Sequence, residues 1–115
     1  MNYDKVIEAF YLMWGNFPEA VQLTHKSREI IALNAECERF GRVKGMICSS
    51  HGAPEAHQGC LANQALKTQQ PVVKKQIFGD AEITTYWLPV DGYPDLFIHF
   101  GVGIRAMLEK SPSVK

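Results

Sequence analysis

The sequence predicts an α+β domain: an N-terminal helix and a five-stranded antiparallel sheet with short helices on one face. Three observations carry this expectation. An apolar stripe with a 3.6-residue period opens the chain, the period then switches to two, and the alternating segments form an early pair and a late triplet around a helical middle. At 115 residues the chain fits one domain, large enough to bury a core of its own. Its 46% hydrophobic and 21% charged residues match globular proteins, which excludes disordered and fibrous classes.

The first helix spans Asp4–Trp14, because Val6, Ala9, Phe10, Met13 and Trp14 fall on one helical stripe. Asp4 suits the positive end of the helix dipole, and Gly15-Asn16 supply a stop. Such a stripe is a packing surface that either covers the sheet or meets a second copy. After Pro18, Val21 and Leu23 alternate with polar neighbours, His25-Lys26-Ser27-Arg28 reads as a turn, and residues 29–33 read as a second strand. The pair forms a hairpin. Asn34 fits an N-cap for a helix over residues 35–40, and Gly41 fits its C-terminal cap.

Residues 42–70 are the least regular part, with Gly52 and Gly59 interrupting any helix begun at Pro54. From Cys60 a helix emerges with Leu61, Ala62, Ala65 and Leu66 on one side, closed by Thr68-Gln69-Gln70-Pro71. Val72–Phe78 and residues 82–88 make a hairpin around Gly79-Asp80. The loop Asp91-Gly92-Tyr93-Pro94-Asp95 leads to a strand over residues 96–104. Leu96, Ile98, Phe100, Val102 and Ile104 share one face, which we assign to the core against the Asn34 and Cys60 helices. Phe97, His99, Gly101 and Gly103 point the other way, where the first helix or a second subunit would dock. On this parity His99 is an outward, sheet-surface histidine.

Charge and hydropathy exclude several classes. Twelve basic residues balance twelve acidic ones, so the basic surface that draws a protein to nucleic acid is missing. No apolar run approaches the ~18 residues of a membrane span. The opening helix is interrupted by Glu8 and ended by Gly15 and Pro18, unlike a secretory signal. Three cysteines, an odd count, favour free thiols or a metal or redox role over a disulfide framework, and place the chain in the cytoplasm.

The order of elements resembles the PAS fold of signalling proteins. Ile30-Ile31-Ala32-Leu33-Asn34-Ala35-Glu36-Cys37-Glu38-Arg39-Phe40-Gly41 is similar to that family's run of strand, Asn, helix, aromatic and Gly. Gly45 falls where a second glycine is frequent, and Ala65-Leu66-Lys67-Thr68-Gln69-Gln70-Pro71-Val72 is similar to the approach to the third strand. The resemblance covers residues 20–104. It implies a sensory or dimerisation module with a cavity between sheet and short helices, and an output domain or partner elsewhere. It divides the chain into an N-terminal helical extension (1–19), a PAS-like core (20–105) and a tail (106–115).

One constellation stands out for chemistry. Cys48, His51, His57 and Cys60 are spaced Cys-x2-His-x5-His-x2-Cys, and thiolate plus imidazole is the usual ligand set of tetrahedral zinc. The competing reading makes Cys48 and Cys60 small buried residues and the histidines exposed. Some PAS sequences carry a Cys-x2-Cys pair where this chain has His57-Gln58-Gly59-Cys60, which weakens an iron–sulfur reading. Gly45-Met46-Ile47-Cys48 has the spacing of the flavin-binding branch, but Ile47 and Ser49 replace that branch's Asn and Arg. His51, His57 or His99 could ligate heme. An enzyme could pair a Cys with a His oriented by Asp91 or Asp95, in a cone-shaped barrel of the nuclear-transport-factor type. Against that, the chain has no nucleophile elbow, and Gly101-Val102-Gly103-Ile104 lies inside a strand rather than cradling phosphate.

The expectation is therefore a cytoplasmic PAS-like module that binds a small ligand or mediates dimerisation or partner contact, as a homodimer without nucleic acid or membrane. A metal or redox protein using the Cys/His cluster is the alternative, and a small enzyme the third reading. No cofactor is assigned; zinc and heme are the candidates.

Overall fold

The structure, a computed structural model, describes residues 2–47 and 61–104. Its elements are α1 (Asp4–Trp14), β1 (Val21–His25), β2 (Ile30–Leu33), α2 (Ala35–Arg39), α3 (Ala62–Thr68), β3 (Val72–Phe78), β4 (Ala81–Val90) and β5 (Tyr93–Val102). The strands form one antiparallel sheet in the order β2-β1-β5-β4-β3. The last strand in sequence is thus the central one. No helix among the described residues is long and apolar enough to cross a membrane.

The apolar stripe of α1 sets the outer layer. Phe10 is buried against Val21, Leu23, Ala32 and Leu96, with Val6, Ile7, Trp14, Ile98 and Phe100 packed around them. Fully burying a side chain of this size contributes roughly 1.5–3 kcal/mol, so the cluster holds α1 on the sheet. The helix stops at Gly15, where the sequence suggests, but without a left-handed glycine. Gly15 stays right-handed (φ −56°, ψ −36°), and the chain turns through the Phe17 N–H to Trp14 C=O bond before Pro18.

The β1–β2 hairpin and the Asn34 cap form as the sequence implies. The Asn34 side chain accepts from the Cys37 N–H at 3.0 Å, and Gly41 takes φ +88°. The same side chain also accepts from the Val21 N–H at 3.1 Å and donates to the Phe17 and Glu19 carbonyls at 3.1 and 2.9 Å. One amide therefore ties the start of α2 to the linker that delivers β1.

Two expectations are corrected. The loop before the last strand is only the Asp91–Gly92 turn, with Gly92 at φ +82°, and β5 begins at Tyr93. An Asp-Gly pair is the usual two-residue hairpin connection, a signal the alternation beyond it had masked. The face assignment of β5 is also reversed. Leu96, Ile98 and Phe100 pack with α1, not with α2 and α3, and Val102 is exposed. Phe97 is buried instead under α3, with Trp87, Val72, Ala62 and Ala65. The physical reason is that β5 is flanked on both edges and covered on both faces, so each alternating set meets helix. Ala62 and Ala65 are small enough to let the short α3 lie directly on the two aromatic rings.

Candidate functional site

The face of the sheet beneath α2 and α3, the inner face, carries the chemistry. Register fixes its layout: Gln22 on β1 pairs with His99 on β5, and His99 pairs with Trp87 on β4. These three side chains form one row, with strands ~4.8 Å apart. Thr24 opposite Phe97 begins the adjacent row.

Gln22 and Thr24 are fully buried although polar. A buried amide is costly unless bonded, and here the Gln22 Nε2 donates to Thr24 Oγ1 at 2.9 Å. Its Oε1 accepts from Arg42 Nη1 at 2.6 Å and from the Cys37 thiol at 3.7 Å. His99 stacks on Trp87 with centroids 5.1 Å apart and planes 23° from parallel. Its Nδ1 lies 3.1 Å from the Tyr86 carbonyl oxygen. A carbonyl can only accept, so Nδ1 carries the hydrogen of this bond.

A second guanidinium flanks the neighbouring row. Arg28, held at φ +80° in the hairpin turn, places its charge 5.7 Å from the Phe97 ring centroid. It donates to the Lys26 carbonyl at 2.6 Å and to Asn63 Oδ1 on α3. The ion pairs among the described residues lie elsewhere, at Lys26–Asp95, Glu36–Arg39 and Lys75–Glu82. The inner face therefore holds two guanidinium groups with no carboxylate partner among the described residues. Two donors on it remain unspent: the buried Nε of Arg42 and the indole Nε1 of Trp87, a residue 3% exposed.

The outer face has a concavity of a different kind. Between α1 and the sheet lies a groove of about 260 Å3, lined by Val6, Ala9, Phe10 and Trp14 from the helix and by Leu23 and Ile98 from the strands. Lys5 and Asp91 also border it, but most of its lining is hydrocarbon and aromatic. Such a surface excludes water without orienting a polar group.

Cys48, His51, His57 and Cys60 lie outside the described residues. Among the described residues no three of His, Cys, Asp and Glu cluster to hold a metal ion. The third cysteine, Cys37, is buried beside Gln22. His99 is not the outward histidine the parity suggests; it is half-buried on the inner face. Asp95 pairs with Lys26 at 3.5 Å and Asp91 is exposed in the β4–β5 turn, so neither orients a histidine among the described residues. Sequence reasoning did not find Gln22, Arg28 or Arg42. The available signal was Gln22 and Thr24 alternating with Val21 and Leu23, but the β1–β5 pairing that makes them an inner face is non-local.

No family model and no curated protein matches the sequence. Solved structures do match. The PAS domain of Bordetella pertussis BvgS superposes with a TM-score of 0.65 at 17% identity, covering 92% of this chain and 93% of that one. A domain of an HTR-like protein from Haloarcula marismortui gives 0.60 at 19% identity, over 76% of this chain and 98% of that one. The photoactive yellow protein domain of the sensor histidine kinase Ppr from Rhodospirillum centenum gives 0.54 at 17% identity, over 84% and 95%. Together with the strand order and the placement of the helices, these superpositions show that the chain has the PAS fold.

Proposed function

We propose that this chain is a sensory module of the signalling type, which binds a small ligand against the inner face and reports its presence through the outer face. The observation that carries the reading is the Gln22–His99–Trp87 row, buried at Gln22 and Trp87 and half-buried at His99, polar and aromatic where a purely structural sheet would be aliphatic. Convergent polar groups under a thin helical cover suit a ligand of defined orientation.

A physical route connects the two faces. His99 donates to the Tyr86 carbonyl, the Tyr86 ring stacks on Phe100 at 4.8 Å, and Phe100 meets Trp14 of α1 at 5.3 Å. A ligand that binds one arrangement of His99 and Trp87 more tightly shifts the population of α1 positions. The exposed surface of α1 is charged over its first two turns, at Asp4, Lys5 and Glu8, and apolar at its C-terminal end, with Leu12 85% exposed and Met13 71% exposed. It suits self-association or docking of an output partner, in the cytoplasm.

The test is a fragment screen followed by amide chemical-shift mapping on labelled protein. The reading expects saturable shifts that cluster on Gln22, Trp87, Phe97 and His99. Shifts confined to the α1 groove, or none that saturate, would overturn it.

A further inference from the structure

Resting on the reading of the inner face as a ligand surface, the geometry points to the class of ligand: we infer that it is a small carboxylic acid. Its carboxylate would take the Arg42 Nε–H, and a further oxygen acceptor would take the Trp87 indole N–H.

The argument begins with the unspent groups. Buried donors in folded proteins are nearly always bonded, and an orphaned one costs the full desolvation of the group. Both orphans named among the described residues, Arg42 Nε and Trp87 Nε1, are donors. Both belong to the inner face: Arg42 is anchored through Nη1 to Gln22, and Gln22, His99 and Trp87 share one row. With two strand spacings between Gln22 and Trp87, the ends of that row are about 10 Å apart at the backbone, and the side chains reach in from either end. A molecule complementary to this row presents oxygen acceptors and no surplus donors. Charge selects the acid over a neutral acceptor. Arg42 and Arg28 bring two positive charges to the face, and neither has a carboxylate within ion-pair distance among the described residues. Guanidinium bonds to carboxylate are about twice as strong as neutral ones. The Trp87 and Phe97 rings supply the flat apolar wall against which a short carbon skeleton would lie.

The experiment titrates the 15N-labelled chain with sodium succinate, whose second carboxylate supplies the further oxygen acceptor, with succinamide as the neutral isostere and sodium chloride at matched ionic strength. The indole N–H of Trp87 reports the site, and the backbone N–H of Gly79, exposed in the β3–β4 turn, serves as the internal control. Succinate should move Trp87 downfield in a saturable curve and leave Gly79 in place, while chloride should produce no such curve. Arg42→Gln should weaken the succinate response at least tenfold, and an unchanged Trp14 indole signal in the ligand-free variant confirms that the fold persists. Equal or tighter binding of succinamide, or an undiminished succinate response in Arg42→Gln, overturns the ligand class while leaving the inner face as a binding surface. No saturable response at Trp87 to either probe, together with none on the inner face in the fragment screen, overturns both.

Discussion

Replacing Asn34 should be among the most damaging single polar substitutions in the described part of the chain. The side chain is 2% exposed and makes four hydrogen bonds to four different backbone groups. Asn34→Ala leaves the Val21 and Cys37 N–H groups unbonded in buried surroundings, each at a cost of about 1–3 kcal/mol. The Phe17 and Glu19 carbonyls are only part-buried and recover water, so their loss is smaller. The total comes to about 3–5 kcal/mol, a large share of the ~5–15 kcal/mol that holds a domain folded. Asn34→Asp keeps both accepted bonds but turns the two donated ones into oxygen–oxygen repulsion, and should lose about 2–3 kcal/mol. Urea denaturation followed by far-UV circular dichroism measures both. A loss below about 1 kcal/mol for Asn34→Ala would refute the reasoning that this amide joins α1's linker, β1 and α2.

Four further outcomes follow from the geometry. Gly103→Ala should cost at least ~2 kcal/mol in the same assay, since Gly103 sits at φ +107° and a Cβ would meet the Glu82 carbonyl oxygen at 2.5 Å. Gly79→Ala, at φ +66° with open space around it, should cost only about 1–2 kcal/mol. Phe97→Ala should cost about 3–5 kcal/mol, whereas Val102→Ala on the exposed end of β5 should stay near 0.5 kcal/mol; equal losses would restore the rejected face assignment. Leu12→Glu with Met13→Glu should leave folding intact and shift sedimentation at high micromolar concentration from dimer to monomer; a wild-type protein that is already monomeric there removes α1 as an association surface.

The fold was legible wherever the signal is local. The α1 stripe, the Asn34 cap with Gly41 behind it, and the Gly79-Asp80 hairpin each rest on residues a few positions apart. The order of elements followed from these. What could not be read was which partner covers which face. Leu96 and Phe97 are adjacent and equally buried, and a strand with helices on both sides alternates between two cores rather than between core and solvent. The site was hidden for the same reason. Gln22 and His99 are far apart in sequence and meet only because β5 inserts between β1 and β4. Cys48, His51, His57 and Cys60 drew notice because close spacing is what a sequence displays well. The Gln22–His99–Trp87 row has no spacing to display.

The chain contains two tryptophans, and the fold puts one on each side of the sheet, Trp14 in α1 and Trp87 beneath α3. Incorporating 5-fluorotryptophan and recording the 19F spectrum during titration with a binder from the fragment screen therefore reads ligand capture and its transmission together. The account predicts that both resonances respond with the same midpoint: Trp87 because the ligand lies against it, and Trp14 because the His99–Tyr86–Phe100 route carries the change to α1. A Trp87 response with Trp14 unmoved would contradict the proposed transmission, and a response from Trp14 alone would place binding in the outer groove instead.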